Sequence, residues 1–158
     1  MQKIRPCIWL DDQAEEAMNL YCSVFPNSKP GTITRYGDSG PGTPGSVLTA
    51  ELELNGVRFM LLNGGPHFQL SEAVSFVIDC KDQAEVDYYW EKLIEGGGSP
   101  SQCGWLKDKF GVSWQVVPTA IYDLIWNAEP AKAKRATEAM FKMTKLDIAA
   151  LQAAHDGA

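Results

Sequence analysis

The sequence predicts an α+β fold in which two β-α-β-β-β modules form a curved mixed sheet and are followed by a C-terminal helical extension. Three observations support this prediction. A strand, an acidic cap and a helix occur twice, and further strand-like segments follow each helix. The tetrapeptide Asp-Gln-Ala-Glu occurs at residues 12–15 and again at residues 82–85. The last forty residues contain helical patterns and no strand pattern.

The first module starts with a strand over residues 4–10 and a helix over residues 13–25. Side chains alternate between the faces of the strand, with Ile8 and Leu10 on the same face. Pro6 has no backbone N–H to donate, which favours an edge or a bulge for this strand. The helix carries an apolar stripe with the spacing of one buried face, formed by Ala17, Leu20, Tyr21 and Val24.

Three further strands complete the first module, at residues 32–36, 46–54 and 57–62. Residues 37–45 are rich in glycine and proline and therefore form a loop. A strand follows this loop, whereas a phosphate-binding glycine loop leads into a helix, so we do not expect a nucleotide site here. Asn55 and Gly56 are the strongest hairpin signal in the chain and predict antiparallel pairing of the strands on either side.

The second module repeats this order with a strand over residues 73–80, a helix over residues 83–95 and a hairpin over residues 103–118. The hairpin turns at Asp-Lys-Phe-Gly, and its last strand is expected to present one face to the core and one to a pocket. The second helix has its own apolar stripe, formed by Val86, Tyr89, Trp90 and Leu93.

The spacing of the two halves indicates an internal duplication. The helix stripes are 69 residues apart and the repeated tetrapeptides are 70 residues apart, so the halves correspond to within about one residue. The alternative is a pair of ordinary strand–helix units in an α+β fold.

The C-terminal extension is predicted to contain three helical segments. Thr119 is expected to cap a short helix with apolar residues at Ile121, Leu124 and Ile125. Pro130 suits the first turn of a longer helix that reaches Met143, with one side formed by Ala133, Ala136, Met140 and Met143. Asp147 is expected to cap a final segment with Ile148 and Leu151. We expect this tail to cover a sheet edge or to join a second subunit.

Length and charge restrict the class of protein. The 158 residues are predicted to form a single domain, with a first module at 1–66, a second at 67–118 and the helical tail at 119–158. The net charge is −6 and no Lys/Arg cluster occurs, so we expect neither nucleic acid nor an anionic membrane as a partner. The absence of a long apolar run and of a signal-peptide pattern predicts a cytoplasmic protein.

The four cysteines are never spaced as C-x-x-C, which predicts reduced thiols with structural roles. Cys7 and Cys80 lie in predicted strands and Cys22 lies among the apolar residues of a helix, where a thiol packs as a small apolar group. Cys103, beside Gly104 at the start of the hairpin, is the one candidate for a chemical role.

Six segments carry a family resemblance. They are Leu20-Tyr21, residues 24–28, the Asn-Gly-Gly-Pro of residues 63–66, the Ala-Val-Ser-Phe of residues 73–76, residues 82–87 and the whole hairpin of residues 103–118. Together they resemble the PhnB-like branch of the vicinal oxygen chelate superfamily, the glyoxalase and bleomycin-resistance fold, a branch that is also named the 3-demethylubiquinone-9 3-methyltransferase family. The resemblance covers nearly the whole chain and implies paired β-α-β-β-β modules and a homodimer.

Members of this superfamily that use a metal hold a divalent ion with His, Gln or Glu side chains from four strands. The resemblance places such positions at or near Pro6, Ala73, Ser75, Phe76 and Gln115. Only Gln115 is a suitable donor, and the two histidines, His67 and His155, lie in a connection and in the tail. We therefore expect no metal site, with a divalent metal as the only candidate cofactor. No glycine-rich turn follows the first strand, so the methyltransferase name finds no support in the sequence.

Seven residues are candidates for the wall of a ligand pocket, namely Trp9, Asn63, His67, Phe68, Ser75, Trp105 and Gln115. Trp114 and Gln115 are neighbours in one strand and must point to opposite faces. Either Gln115 faces the pocket while Trp114 packs under the helices, or both belong to core packing and the amide lies at the surface. Trp9 and Phe68 would suit a planar apolar ligand. No catalytic residue is assigned.

Two alternatives for acid–base chemistry remain open. His67 is either a general base beside Asn63 or a solvated residue of the connecting segment. Glu51 and Glu53 are either an acid and base on the concave face of the sheet or the polar side of a solvated strand.

The sequence favours a small-molecule-binding protein of the glyoxalase and bleomycin-resistance type, without a catalytic metal and with an unknown ligand. The alternative is a metal-dependent lyase, isomerase or dioxygenase of the same superfamily. The third candidate is the methyltransferase that the family name suggests. Whether one chain or two complete each cavity is left open by the strand pattern.

Overall fold

The computed structural model describes residues 2–158, which divide into a first unit ending at Leu70 and a second unit over Ser71–Ala158. Each unit contains a four-stranded mixed sheet and a helix that follows its first strand. The predicted α+β class is therefore confirmed, with one sheet in each unit.

The first unit contains four strands and one helix, in the order β1 (Cys7–Leu10), α1 (Ala14–Val24), β2 (Lys29–Arg35), β3 (Val47–Leu54) and β4 (Val57–Asn63). Its sheet has the strand order β1-β4-β3-β2, with β1 parallel to β4 and the other pairs antiparallel. β1 therefore lies at an edge, as Pro6 indicated. It begins at Cys7, three residues later than predicted, because Pro6 contributes only its carbonyl, which accepts from Met60 N at 3.0 Å.

The turn between β3 and β4 has the geometry that Asn-Gly predicts. Asn55 and Gly56 have φ values of 46° and 83°, the left-handed conformation that a tight hairpin turn requires. β2 begins at Lys29, three residues before the predicted start. The strand includes Pro30 because β2 is the second edge strand of this sheet, and an edge tolerates proline.

The core of the first unit lies between α1 and one face of the sheet. From the predicted stripe, Ala17, Tyr21 and Val24 are buried, whereas Leu20 is only partly buried and Met18 takes its place in the core. The sheet contributes its alternate residues, namely Ile8, Leu10, Ala50, Leu52, Leu54, Phe59 and Leu61. The opposite sheet face, which includes Trp9 and Glu51, is more exposed.

The second unit repeats this arrangement with β5 (Phe76–Cys80), α2 (Gln83–Ile94), β6 (Ser99–Pro100), β7 (Trp105–Lys107) and β8 (Ser113–Pro118). The order is β5-β8-β7-β6, with β5 parallel to β8, so both units share one topology. β5 starts at Phe76, later than predicted, because its single neighbour β8 begins only at Ser113. All four residues of the predicted α2 stripe are buried.

The two helices begin differently, which explains the one-residue slip between the stripes and the tetrapeptides. The cap of α1 is Gln13, whose side chain makes no cap hydrogen bond, and the cap of α2 is Asp82, whose side chain accepts from Glu85 N. The predicted acidic cap is confirmed for α2 and wrong for α1. The caps are 69 residues apart, like the stripes, so the repeated tetrapeptide lies one residue out of register with the fold.

The cause of this difference lies at the end of the last strand of each sheet. Asn63 pairs with Leu10 in the first sheet, and Pro118 pairs with Cys80 in the second. The Asn63 amide oxygen accepts from Ala14 N at 2.8 Å and so replaces a local cap. Proline has no such group, and α2 relies on its own aspartate.

Three helical segments form the tail, namely a π-helix over Tyr122–Trp126, α3 (Pro130–Met140) and α4 (Ile148–Asp156). Pro130 in the first turn and the Asp147 cap are confirmed. The predicted Thr119 cap is wrong, because its hydroxyl donates to Cys80 O at 3.3 Å and the helix begins after Ile121. α3 ends before Met143, which instead bonds through its carbonyl to Cys103 N at 2.8 Å.

The tail packs within the second unit. Val117 of β8, Ile121 and Leu146 form a buried cluster that Ile125, Met140 and Met143 complete. The Gln83 amide donates to Leu146 O at 3.1 Å, and Lys145 pairs with Asp87 at 2.6 Å. The tail thus packs against β8 and α2, and a role in joining a second subunit stays a prediction. Within residues 2–158 no helix has the length and apolar character to cross a membrane.

Candidate functional site

The structure divides the seven predicted pocket residues between the two units. Trp9, Asn63, His67 and Phe68 lie in the first unit, whereas Ser75, Trp105 and Gln115 lie in the second. Each group lies beside a concave region of its own unit.

The first region is a cleft of about 590 Å³ at the carboxyl ends of the parallel strands β1 and β4. We call it the acidic cleft. Its lining residues are Asp11, Asp12, Glu15, Tyr36, Pro41, Gly42, Ser46, Val47, Asn63, Gly64, Gly65, Pro66 and His67. Asn63 and His67 are thus the two predicted residues that line it directly.

Asn63 fixes the floor of the acidic cleft. Its amide oxygen accepts from Ala14 N, and its amide nitrogen donates to Asp12 O and Val47 O, both at 3.1 Å. The Tyr36 hydroxyl donates to Asn63 O at 2.8 Å. The side-chain amide therefore connects α1, the end of β1 and the start of β3, and it is 8% exposed.

Trp9 and Phe68 support the wall of the cleft from behind. The indole N–H of Trp9 donates to Gly65 O at 2.8 Å, and its ring meets Phe68 edge to face at 4.9 Å between centroids. A Cβ on Gly64 would lie 2.2 Å from the indole ring, so only glycine fits there. The tryptophan thus fixes the Gly64-Gly65 segment rather than lining the cleft itself.

Carboxylates dominate the electrostatics of this cleft. Asp11 and Asp12 are exposed, and Glu15 approaches Arg35 at 3.8 Å. No lysine or arginine is among the lining residues. Because the exposed carboxylates of Asp11 and Asp12 attract cations and accept hydrogen bonds, the cleft favours ligands that are positively charged or rich in donors.

The glutamates of β3 lie on the open face of the first sheet and are ion-paired. Glu51 contacts Arg5 at 2.6 Å and Arg58 at 3.5 Å, and Glu53 contacts Lys29 at 3.2 Å. These pairs favour the solvated-face alternative for both residues, because each carboxylate already has a cationic partner.

The second region lies on the open face of the second sheet. Gln115 pairs with Trp105 across β7 and β8, and its amide donates to Ser75 Oγ at 2.9 Å. Trp114 is buried on the other face, and its indole N–H donates to Asp108 at 2.9 Å. The predicted division of Trp114 and Gln115 between opposite faces is therefore what the structure shows.

A cavity of about 210 Å³ lies beside this group. Its lining residues are Glu72, Ser99, Pro100, Ser101, Trp105, Leu106, Lys107 and Ser113. Trp105 is the one predicted pocket residue that lines it. Ser75 and Gln115 are hydrogen-bonded to each other and are not among its lining residues.

Asp108 is a structural centre of the hairpin that the sequence analysis did not single out. Its buried carboxylate accepts from Phe110 N at 2.9 Å, from Val112 N at 3.0 Å and from the Trp114 indole. An aspartate at the first position of a turn that also contains glycine is the signal that indicates such a role.

The residues present do not fit a catalytic metal. Within residues 2–158, no group of three or more His, Cys, Asp or Glu side chains is placed to hold an ion. Gln115 bonds to Ser75, and Pro6 contributes only a backbone carbonyl. A single neutral amide is a poor ligand set for zinc, iron or manganese.

All four thiols are free. Burial, with the nearby carboxylates of Glu85, Asp79 and Asp82, raises the pKa of Cys80 to about 12. Cys103 has a left-handed backbone with φ of 57°, and its thiol contacts Met140 O at 3.6 Å. Its position anchors the hairpin to the tail, and a chemical role stays a prediction.

Comparison with known proteins identifies relatives for most of the chain. A PhnB protein from Bacillus cereus, described by the family name 3-demethylubiquinone-9 3-methyltransferase, is 35% identical, with a TM-score of 0.68 over 75% of this chain and 100% of that chain. A Pseudomonas aeruginosa protein is 20% identical, with a TM-score of 0.62 over 75% and 98% of the two chains. The fosfomycin resistance protein FosX of Listeria monocytogenes, in complex with Mn(II) and sulfate, is 11% identical, with a TM-score of 0.50 over 72% and 88%.

The last two likenesses support the shared fold alone. No curated protein matches the chain. A sequence profile of the 3-demethylubiquinone-9 3-methyltransferase family matches residues 2–117, which leaves the tail outside the match. The chain has the vicinal oxygen chelate fold that FosX also has. The profile match and the Bacillus cereus relative show that the chain belongs to the 3-demethylubiquinone-9 3-methyltransferase (PhnB-like) family.

Proposed function

We propose that this protein binds a small organic molecule in the acidic cleft and that it does so without a catalytic metal. One observation carries the proposal: a cleft of about 590 Å³, within the usual size range of ligand sites, has a wall and floor held by buried and partly buried hydrogen bonds. Asn63 and Trp9 supply those bonds. A site fixed in this way loses little conformational freedom when a ligand binds.

The lining indicates the chemistry of the ligand. Asp11, Asp12 and Glu15 offer acceptors, and the Tyr36 ring and Pro66 offer apolar surface. A small cationic or neutral amine with an apolar part satisfies both. A carboxylate ligand would meet three carboxylates and is disfavoured.

The test is a thermal-shift screen of small amines, neutral amides and carboxylates, followed by backbone amide NMR with the best hit. We expect stabilisation by amines and chemical-shift changes at Gly64 and Gly65. Asp12→Asn should weaken an amine hit about two- to fivefold, as expected for one partly exposed charge pair. Asp123→Asn, in the tail, is the matched control. Shift changes confined to the second unit would contradict this assignment.

The two enzyme alternatives are tested separately. Metal analysis of the purified protein and of Gln115→Ala supports a metal-dependent lyase, isomerase or dioxygenase only if a stoichiometric metal is present and the variant loses it. Calorimetry with S-adenosylmethionine tests the methyltransferase alternative. A titration that shows no binding excludes this alternative. The two small mixed sheets differ from the parallel doubly wound sheet that binds dinucleotides at its switch point.

A further inference from the structure

Among the residues that the structure describes, one buried side-chain hydroxyl of the second unit has no hydrogen-bond partner. Ser113, the first residue of β8, is 3% exposed. Within residues 2–158 its hydroxyl makes no hydrogen bond. An unsatisfied buried hydroxyl is unfavourable, so its position in a native fold calls for an explanation. Ser113 also lines the cavity of about 210 Å³ beside β7.

The strand register places a cation directly beside this hydroxyl. Ser113 pairs with Lys107 across β7 and β8, and Lys107 pairs with Ser99 across β6 and β7. Residues directly opposite in adjacent strands share one face, with Cβ atoms about 5 Å apart. Ser99, Lys107 and Ser113 therefore form a row of hydroxyl, ammonium and hydroxyl, which we call the serine–lysine row.

The ammonium of the row already holds a carboxylate. Lys107 Nζ contacts Glu72 at 2.6 Å, and the Glu72 side chain is 63% exposed while that of Lys107 is 34% exposed. The hydrogen bond from Lys107 lowers the pKa of Glu72 below its ordinary value. The largely exposed carboxylate can leave at little cost, whereas the lysine belongs to strand β7. Trp105 adds an aromatic surface to the same cavity.

We propose that the serine–lysine row binds the oxyanion of a small carboxylate or phosphate compound. The oxyanion displaces Glu72 and accepts hydrogen bonds from the Lys107 ammonium and the Ser113 hydroxyl. An ammonium donates only, and the free hydroxyl can donate as well, so an acceptor with negative charge satisfies both. An aromatic or apolar part of the ligand would lie against Trp105. This site shares no lining residue with the acidic cleft, and its ligand has the opposite charge.

Amide NMR titration of the full chain tests the site with two probes, sodium benzoate and inorganic phosphate, each at matched ionic strength against sodium chloride. We expect saturable shifts at the amides of residues 99, 107 and 113. The probe that binds with the higher affinity indicates whether the natural ligand is an aromatic carboxylate or a phosphate. No saturable shift at these amides with either probe would overturn the proposal.

Ser113→Ala should weaken the stronger probe about tenfold, because a hydrogen bond to a charged group is lost. The variant removes an unsatisfied buried group, so it is expected to fold at least as stably as the parent chain. Ser23→Ala, in the first unit, controls for loss of a serine hydroxyl. Unchanged affinity of Ser113→Ala would show that the row is not the binding site.

Glu72→Gln gives a result in the opposite direction. Removing the carboxylate that competes for Lys107 should tighten anion binding about two- to fivefold, the range expected for an exposed ion pair. Glu95→Gln makes the same change of net charge beside Lys92, away from the row, and should leave affinity unchanged. If both variants bound the anion equally more tightly, the change in net charge alone would explain the effect. The displacement of Glu72 from Lys107 would then be refuted. Failure of the acidic cleft to bind amines would not affect these outcomes.

Discussion

Asn63 shows how one amide can organise the surroundings of a site without being exposed in it. Its side chain bonds to three backbone groups, on Ala14 at the start of α1, on Asp12 after β1 and on Val47 at the start of β3. The Tyr36 hydroxyl adds a bond to its carbonyl. The geometry of the acidic cleft therefore depends on a residue whose polar atoms are already used.

Asn63→Ala should destabilise the first unit by about 2–4 kcal/mol, because it leaves one buried N–H and two carbonyls without partners. Tyr36→Phe removes a single hydrogen bond and should destabilise by about 1 kcal/mol. Urea unfolding followed by fluorescence gives both values. Equal effects of the two variants would show that the amide network contributes no more than a single bond.

Asp108 has the corresponding role in the hairpin of the second unit. Asp108→Ala should destabilise the protein by about 3 kcal/mol or more, since three donors lose a charged acceptor in a buried turn. Asp123→Ala, an exposed aspartate of the π-helix, is the control and should change stability by less than about 0.5 kcal/mol. Guanidinium unfolding measures the difference. A loss similar to that of the control would mean that the turn forms without the carboxylate.

At the scale of secondary structure, the tail is held to α2 by specific side chains. The Gln83 amide donates to Leu146 O and accepts from Ile148 N at 2.9 Å, and Asp87 pairs with Lys145. The tail also lies outside the region that matches the family profile. These contacts, with the cluster around Leu146, explain how an added helical segment becomes part of the second unit.

The pairing of Asp87 predicts a pH dependence for this attachment. Hydrogen bonds from Lys145 and then from Gln83 lower the pKa of Asp87 from its ordinary value of 3.8. A lowered pKa stabilises the fold above the unfolded value, and this contribution is lost as pH falls below 3.8 and through the folded pKa.

Lys145→Met should therefore destabilise by at most about 1 kcal/mol at pH 7, because the pair is partly exposed. The difference from the parent chain should shrink as the pH is lowered below 3.8. Lys92→Met, which breaks the exposed pair with Glu95 at 3.3 Å, is the control for loss of a lysine. Urea unfolding at several pH values measures the effect. A difference that stays constant down to pH 2 would contradict it.

At the scale of the whole molecule, two units with one strand order carry concave sites of opposite character. The first has carboxylates at the ends of parallel strands, and the second has a lysine between two serines on an open sheet face. A duplicated fold keeps its core pattern because burial requires it, whereas exposed positions diverge without loss of stability. Similar topology thus gives no reason to expect one ligand for both.

The family resemblance predicts a homodimer, and this expectation has a direct test. Sedimentation equilibrium should give a mass of twice 17.4 kDa at micromolar concentration. The exposed Tyr122, Trp126 and Phe141 belong to the tail, so the companion variant Trp126→Ser tests whether the tail joins the two subunits. A mass of 17.4 kDa for the unaltered chain at all concentrations would contradict the homodimer.

Local patterns in the sequence were enough to predict the fold class, the two modules, most helix stripes and the hairpin turns. These features follow from local periodicity and turn chemistry, such as Asn55-Gly56 and the α2 stripe, and they need no knowledge of distant partners. The starts of strands were predicted less well, because β1 begins only after Pro6 and β5 begins only where its neighbour β8 offers a partner.

The roles of the polar residues depend on tertiary contacts that local patterns in the sequence do not reveal. Asn63 was a predicted pocket residue, yet its amide caps a helix 49 residues away in the chain. The Asp108 carboxylate accepts from three donors, whereas the Ser113 hydroxyl has no hydrogen-bond partner among residues 2–158. The reason is physical: a hydrogen bond depends on the position and direction of a partner brought close by folding, whereas burial of an apolar side chain needs only the correct face.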